Sequence, residues 1–352
     1  MTALGERIAA RIAAGGPIPL ADYMTACLHD PRDGYYATRD PLGAAGDFVT
    51  APEISQMFGE LLGLALAQAW LDQGAPGRIL LAELGPGRGT MMQDVLRATR
   101  GVPGFADAAA LNLVETSPAL RRQQAERLPG ATFHDRIDTL PEAPLFLLAN
   151  EFFDALPVRQ FVRDGAGWRE RMVGLEEGRL AFGLGPAAPL EALAYRLDDT
   201  ADGDLVEVAQ GLPAIAGEIG RRLDAHGGAA LIVDYGDWRS LGDTLQALAG
   251  HQRTDPLAAP GAADLTAHVD FEAIARAAAP AVPTRLVPQG TFLRRLGIAQ
   301  RAEALGARLD GAAREAHEAA HRRLTLPGEM GLLFKAMGLT RHDAPPPPGF
   351  TR

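Results

Sequence analysis

One segment restricts the fold more than any other. The apolar run from Ile79 to Leu84 stops at Gly85, and Pro86, Gly87, Arg88, Gly89 and Thr90 follow. A short apolar run closed by glycines, with helix-compatible residues 90–100 behind it, reads as a buried strand, a tight turn and a helix. Gly85 permits the sharp turn at the end of the strand. Gly87 and Gly89 carry no side chain, so a ligand can approach the backbone there. In a doubly wound sheet such a turn lies at the carboxyl edge, where ligands bind.

The chain continues the same alternation. Strands are expected at 111–115, 131–134, 145–149 and 229–234, and helices at 54–71, 90–100, 118–127, 205–225 and 271–279. Gly227 and Gly228 stop the fourth of these helices. Short continuous apolar runs separated by helices indicate parallel strands covered on both faces. The expected class is α/β, a Rossmann-like doubly wound sheet, closed by 285–287 and 330–337. After Pro157 the pattern changes to strands at 158–162, 168–175 and 179–184, joined through Gly165, Gly167 and Gly178. This reads as a small antiparallel insertion. At the start, Leu4, Ile8 and Ile12 recur every four residues, which suggests an amphipathic helix. The expected organisation is therefore an N-terminal helical region and lid (1–72), the first part of a core (73–157), an inserted β-rich subdomain (158–204), the second part of the core with a long loop over 236–270 (205–340), and a loose proline-rich tail (341–352).

Composition excludes several classes. A formal net charge of −10 across 352 residues argues against nucleic-acid binding, which needs a positive field. The single cysteine, Cys27, cannot form an internal disulfide and reads as a buried bystander thiol. No run reaches the ~18 apolar residues of a membrane span. The best candidate, 61–71, is interrupted by Gln68 and reads as a packed helix. The N-terminus lacks the apolar core of a signal peptide. No metal site is expected.

Glu83, two residues before the first glycine, decides the ligand. Dinucleotide sites place a pyrophosphate on such a turn. An acid at this place, in the pattern acid-x-Gly-x-Gly-x-Gly, instead suits the ammonium-bearing end of S-adenosyl-L-methionine (SAM), with S-adenosyl-L-homocysteine (SAH) as the product. Glu115, next to Thr116 at the end of the second strand, can accept both ribose hydroxyls. Asp135 and Ile137, after the third strand, are candidates for adenine contacts. The fourth strand runs into Asn150-Glu151-Phe152-Phe153-Asp154, beside the first strand. Glu151, Asp154, Glu53 and Asn150 are the candidate catalytic residues, Asn150 also counting towards the cofactor. A nicotinamide oxidoreductase is the competing reading, disfavoured by Glu83.

Longer motifs narrow this further. Residues 46–53 (Gly-Asp-Phe-Val-Thr-Ala-Pro-Glu), 83–90 (Glu-Leu-Gly-Pro-Gly-Arg-Gly-Thr), 150–157 (Asn-Glu-Phe-Phe-Asp-Ala-Leu-Pro), Asp234-Tyr235-Gly236, Gly250-His251 and 264–270 (Asp-Leu-Thr-Ala-His-Val-Asp) together resemble the MidA family of SAM-dependent methyltransferases. The likeness runs in order along nearly the whole chain. It implies a class I methyltransferase core with an N-terminal extension and an insertion. It also implies methylation of a protein arginine, on a 49-kDa-type subunit of respiratory complex I or a bacterial counterpart. On this reading Gly46, Phe48 and Thr50 belong to a lid over the cofactor, and Asp234, Tyr235, His251 and His268 line the acceptor pocket. A bacterial cytoplasm is the expected location. The oligomeric state stays open, a homodimer among the options. The alternatives are a non-catalytic SAM-binding assembly factor, or another protein or small-molecule acceptor.

Overall fold

A computed structural model describes residues 2–38 and 50–352. The chain forms two compact units, each assembled from three separate stretches. The larger holds residues 49–153, 213–238 and 271–352; the smaller holds 1–48, 154–212 and 239–270.

The larger unit is built on a sheet of β1 (Ile79–Leu84), β2 (Ala109–Val114), β3 (Thr132–His134), β4 (Leu145–Asn150), β5 (Gly228–Asp237) and β6 (Phe334–Thr340). Their spatial order is β3-β2-β1-β4-β5-β6, parallel throughout except for β6. Strand order reverses between β1 and β4, so their carboxyl ends form the topological switch point. Every residue of β1 and β4 is buried, as covering on both faces requires.

Helices α1 (Gln56–Asp72), α2 (Thr90–Thr99), α3 (Pro118–Arg127), α4 (Leu212–His226), α5 (Phe271–Ala277), α6 (Gln289–Arg295), α7 (Ile298–Gly306) and α8 (Gly311–Thr325) accompany the sheet. Phe58, Leu62, Leu66 and Trp70 of α1 join Leu81, Phe146, Leu148 and Leu231 in one core. Each such side chain, fully buried, contributes about 1.5–3 kcal/mol. Gly63 lets α1 lie close against α2: a Cβ there would stand 2.9 Å from the Val95 Cα. Glu60 of α1 is buried and receives Arg97 at 3.0 Å and Arg301 at 2.7 Å, which ties α1, α2 and α7 together.

The smaller unit packs helices Ala3–Gly15 and Leu20–His29 with an antiparallel sheet of Val158–Asp164, Gly167–Glu176, Arg179–Ala188 and Leu205–Ala209. Leu4, Ile8 and Ile12 are buried there, as their spacing predicts, with Val158 and Val173. Cys27 lies in the same core, and burial pushes its thiol up to about 11.

Four expectations need correction. Residues 205–225 are not one helix: Leu205–Ala209 is a strand paired with Val158–Asp164, and only then does α4 begin. The alternating Leu-Val-Glu-Val-Ala has the period of a strand. Residues 239–270 belong to the smaller unit rather than to the second part of the core, and carry strands Gln246–Ala249, Gln252–Thr254 and Asp264–Thr266. Residues 330–337 divide into a helical turn, Met330–Leu333, and the start of β6. The tail is packed: the Phe350 ring lies 4.5 Å from that of Phe292, and the Arg285 amide donates to the Thr351 carbonyl at 3.0 Å. Among the described residues no helix is long and apolar enough to cross a membrane, and no cluster of His, Cys, Asp and Glu could hold a metal ion.

Candidate active site

Gly85, Gly87 and Gly89 have φ of 59°, 53° and 77°, the left-handed region that favours glycine. The turn starts where β1 ends, fixed by the Gly85 amide on the Val114 carbonyl at 3.0 Å. Gly85 is open to solvent whereas Pro86 and Gly89 are buried. A Cβ on Gly85 would meet Phe152 Cδ2 at 2.9 Å, and one on Gly89 would meet Leu128 Cδ1 at 2.9 Å. Glycine is therefore demanded here by both backbone and space.

Glu83 lies beneath the turn, 3% exposed. Its Oε2 is buried with no hydrogen-bond partner among the described residues. Burial, with the charge of Glu115 added, pushes its carboxyl up to about 8. An orphaned buried carboxylate oxygen is costly unless something pairs with it. Asn150, at the end of neighbouring β4, likewise has a buried Oδ1 without a partner, while its Nδ2 donates to Glu151 Oε1 at 3.2 Å. The two unpaired oxygens flank the switch point and suit a ligand that brings donors, such as an ammonium group.

Glu115 ends β2, buried, with Oε1 accepting from the Ser117 amide at 2.7 Å. Its Oε2 accepts from Gln124 Nε2, which also donates to the Gly87 carbonyl at 2.6 Å. Gln124, fully buried on α3, thus couples the glycine turn to the second acid. Sequence reasoning missed it, since one glutamine on a short polar helix carries no signal. Thr116 is exposed. Asp135 is exposed and pairs with Arg121 at 2.6 Å, while Ile137 is buried at the head of a helical turn.

Of the candidate catalytic carboxylates, Glu151 and Glu53 belong to the large unit and Asp154 to the smaller. Glu151 directly follows β4, and its φ of 49° is unusual for a residue with a side chain. Its Oε1 accepts from the Ala51 amide at 3.2 Å, and its own amide donates to the Val233 carbonyl at 3.0 Å. Strain of this kind collects at functional sites. Glu53, in the turn Ala51–Ile54, accepts the Thr90 hydroxyl at 2.6 Å, and that hydroxyl in turn accepts from Arg127 at 2.6 Å. Thr90, expected to touch the cofactor, and Glu53, expected in chemistry, clamp that turn to the start of α2. Thr50 precedes the turn; Gly46 and Phe48 lie outside the described residues.

Asp154 belongs to the smaller unit, 6% exposed, and its carbonyl accepts from the Ala267 amide at 3.0 Å. Asp234 is fully buried in β5, where its carboxylate accepts from the amides of Phe152, Phe153 and Tyr235 at 3.0–3.2 Å. It therefore shapes the chain after β4 rather than lining a pocket. Tyr235 packs edge-on against Phe334. His251 is exposed at a hairpin tip of the smaller unit, and the His268 amide there donates to Thr244 Oγ1 at 2.8 Å. Of the expected residues, Glu83, Gly85, Gly87, Glu115, Asn150 and Glu151 lie around the carboxyl edge of the large unit, while Asp154, His251 and His268 belong to the smaller unit.

Comparison with known proteins identifies the chemistry. Residues 61–286 match the model of a family of S-adenosyl-L-methionine-dependent methyltransferases. The human protein arginine methyltransferase NDUFAF7, a mitochondrial protein, is 38% identical, covering 84% of this chain and 73% of its own. The Drosophila melanogaster homologue of that protein is 35% identical over 96% of this chain and 84% of its own. A solved protein from Burkholderia thailandensis with S-adenosyl-homocysteine bound superposes with a TM-score of 0.81 at 30% identity, covering 96% of this chain and 92% of that one. The chain belongs to the MidA family of SAM-dependent methyltransferases.

Proposed function

We propose that this methyltransferase acts on a protein arginine, and that the acceptor is a 49-kDa-type subunit of respiratory complex I or its bacterial counterpart. The observation that carries the reading is identity of 35–38% across most of the chain to proteins named as arginine methyltransferases. The large unit supports it with Glu151 at the end of β4.

In this reading Glu83 and Asn150 receive the ammonium end of SAM, Gly85 and Gly87 admit it to the backbone, and Glu115 holds the ribose. The bound cofactor supplies a methyl group activated by a sulfonium. The rest falls to the chain. An arginine side chain arrives protonated, with its charge delocalised. One nitrogen must be turned towards the methyl carbon and stripped of a proton. Glu151, pinned by Ala51 and Asn150, orients the guanidinium through charge-assisted hydrogen bonds and receives that proton as the new C–N bond forms. The ring of Phe152, against Gly85, helps exclude water.

Mass spectrometry of the 49-kDa-type subunit, with and without this protein, tests the acceptor. Methylated arginine is expected only with the protein present. Methylation of a different protein or residue type would reject the acceptor and leave the methyltransferase standing.

A further inference from the structure

Helix α3 is polar along most of its length, and only Leu120 and Gln124 are buried in it. Gln124 is wholly enclosed, at 0% exposed. Its Nε2 donates to the Gly87 carbonyl at 2.6 Å and to Glu115 Oε2 at 3.3 Å. Both partners are acceptors, so they fix which end of the amide faces them. Its Oε1 is buried without a partner among the described residues. An apolar side chain of similar size would fill the space without stranding a carbonyl oxygen, so packing does not account for a glutamine here. The helix that carries it is itself tied down. The Ser117 hydroxyl caps its start, accepting from the Leu120 amide at 3.4 Å. Arg121 Nε donates to the Glu115 carbonyl at 2.7 Å, and Arg127 donates to the Thr90 hydroxyl at 2.6 Å. Gln124 therefore acts from a fixed platform.

We infer that Gln124 is a positioning residue for the ribose: it sets the Glu115 carboxylate against the glycine turn so that both oxygens accept from a vicinal diol. The inference rests on the reading above that Glu115 holds the ribose of SAM. Two observations carry it. The first is where the donors to Glu115 come from. Oε1 accepts from the Ser117 amide at 2.7 Å, a bond inside the same short stretch of chain that moves with Glu115. The Gln124 bond reaches in from α3, and the same Nε2 holds Gly87. It fixes the carboxylate relative to the turn, not merely to its own backbone. Accepting two neighbouring hydroxyls at once demands that orientation, as paired hydrogen bonds to a carboxylate do in general. The second is the form of the acid. Burial pushes the Glu115 carboxyl up, and the Ser117 and Gln124 donors pull it back. Of the charged groups around it, Glu83 on β1 lies close enough to feel its charge, and Arg121 on α3 favours its ionised form. An ionised carboxylate is all acceptor, whereas a protonated one gives part of that capacity to its own proton.

The probes are SAH and its 2′,3′-dideoxy analogue, and the readout is the ratio of their Kd values by calorimetry. A residue that only supports the fold weakens both ligands alike and leaves that ratio in place. Wild type is expected to favour SAH by about tenfold or more, the worth of hydrogen bonds to a charged group. Glu115→Gln is expected to lose most of that preference. Gln124→Met keeps the length and bulk of the side chain and removes its donors. It is expected to lose most of the preference too, while its affinity for the dideoxy analogue stays near that of wild type. The double variant is expected to lose no more than Glu115→Gln alone, because the two residues act as one unit. Gln124→Leu serves in the same comparison should Gln124→Met fail to fold. A full preference in the Gln124 variant, with Glu115→Gln having lost it, would overturn the inference and leave Glu115 on the ribose. Equal weakening of both ligands by the Gln124 variant would also overturn it, leaving a structural role. A preference that survives Glu115→Gln, or is absent from wild type, would instead reject the ribose reading of Glu115 and the inference with it.

Discussion

Glu83 carries the most information of any single residue. A carboxyl group in an unfolded chain titrates near 4.3; burial and the neighbouring charge of Glu115 push this one up to about 8. Between those values the folded protein keeps a proton that the unfolded chain has released. Stability therefore falls as pH rises from about 5 to 8 in the ligand-free protein. Burial raises Glu115 in the same direction, so the two add. The Glu83→Gln variant keeps the shape and removes one titration. Its Tm is expected to fall less than that of wild type between pH 5 and 8 and to lie above it at pH 8. Its affinity for SAH is expected to drop at least tenfold, because an amide carries no charge to face an ammonium. A wild-type Tm that falls no more steeply than the variant's would refute the buried, protonated carboxyl. Glu151 gives the complementary case. Glu151→Gln is expected to lower kcat roughly hundredfold while the Kd for SAH, measured by calorimetry, stays within twofold. Unchanged turnover would remove Glu151 from the chemistry.

At the scale of elements, the clamp between the turn Ala51–Ile54 and α2 is a distinct device. Thr90→Val deletes the hydroxyl that joins Glu53 to Arg127 and is expected to cost about 1 kcal/mol in denaturant unfolding. It should weaken SAH binding as well, since the turn also donates its Ala51 amide to Glu151; full SAH affinity in the variant would show that the clamp is only local. The strands around this site were legible from sequence because buried parallel strands are continuous apolar runs: Ile79–Leu84 was expected with those ends, and Leu145–Asn150 to within a residue. The helices after residue 288 were not legible. In α8 only Leu324 and Thr325 are buried, so no apolar stripe repeats at helical spacing. The tail failed for a related reason. Prolines suggest a loose end, but one aromatic residue anchors it. Phe350→Ala, removing a ring 8% exposed, is expected to destabilise the protein by about 3 kcal/mol, read from the denaturant midpoint; an unchanged midpoint would return the tail to the loose state that its composition suggests.

At the scale of the molecule, periodicity reveals elements but not which distant stretches share a core. The chain crosses between its units after Phe48, Phe153, Leu212, Trp238 and Asp270. Motifs adjacent in sequence are divided by those crossings, as Phe153 is from Asp154 within one run. The division has a measurable consequence. Glu83, Gly85, Gly87, Glu115, Asn150 and Glu151 all belong to the large unit. A ligand that orders its site slows amide exchange where it removes opening motions. Adding SAH is therefore expected to slow hydrogen exchange in peptides covering 80–90, 113–124 and 148–153. Peptides covering 158–188, the hairpin strands of the smaller unit, are expected to exchange as before. Peptides from α8 supply an internal control, because they share the large unit without contributing a donor-site residue. Protection confined to 158–188, with 80–90 unchanged, would move the cofactor site out of the glycine turn altogether. Equal protection of every peptide, α8 included, would mean instead that SAH acts by suppressing global unfolding, a case separated by repeating the measurement far below the unfolding midpoint.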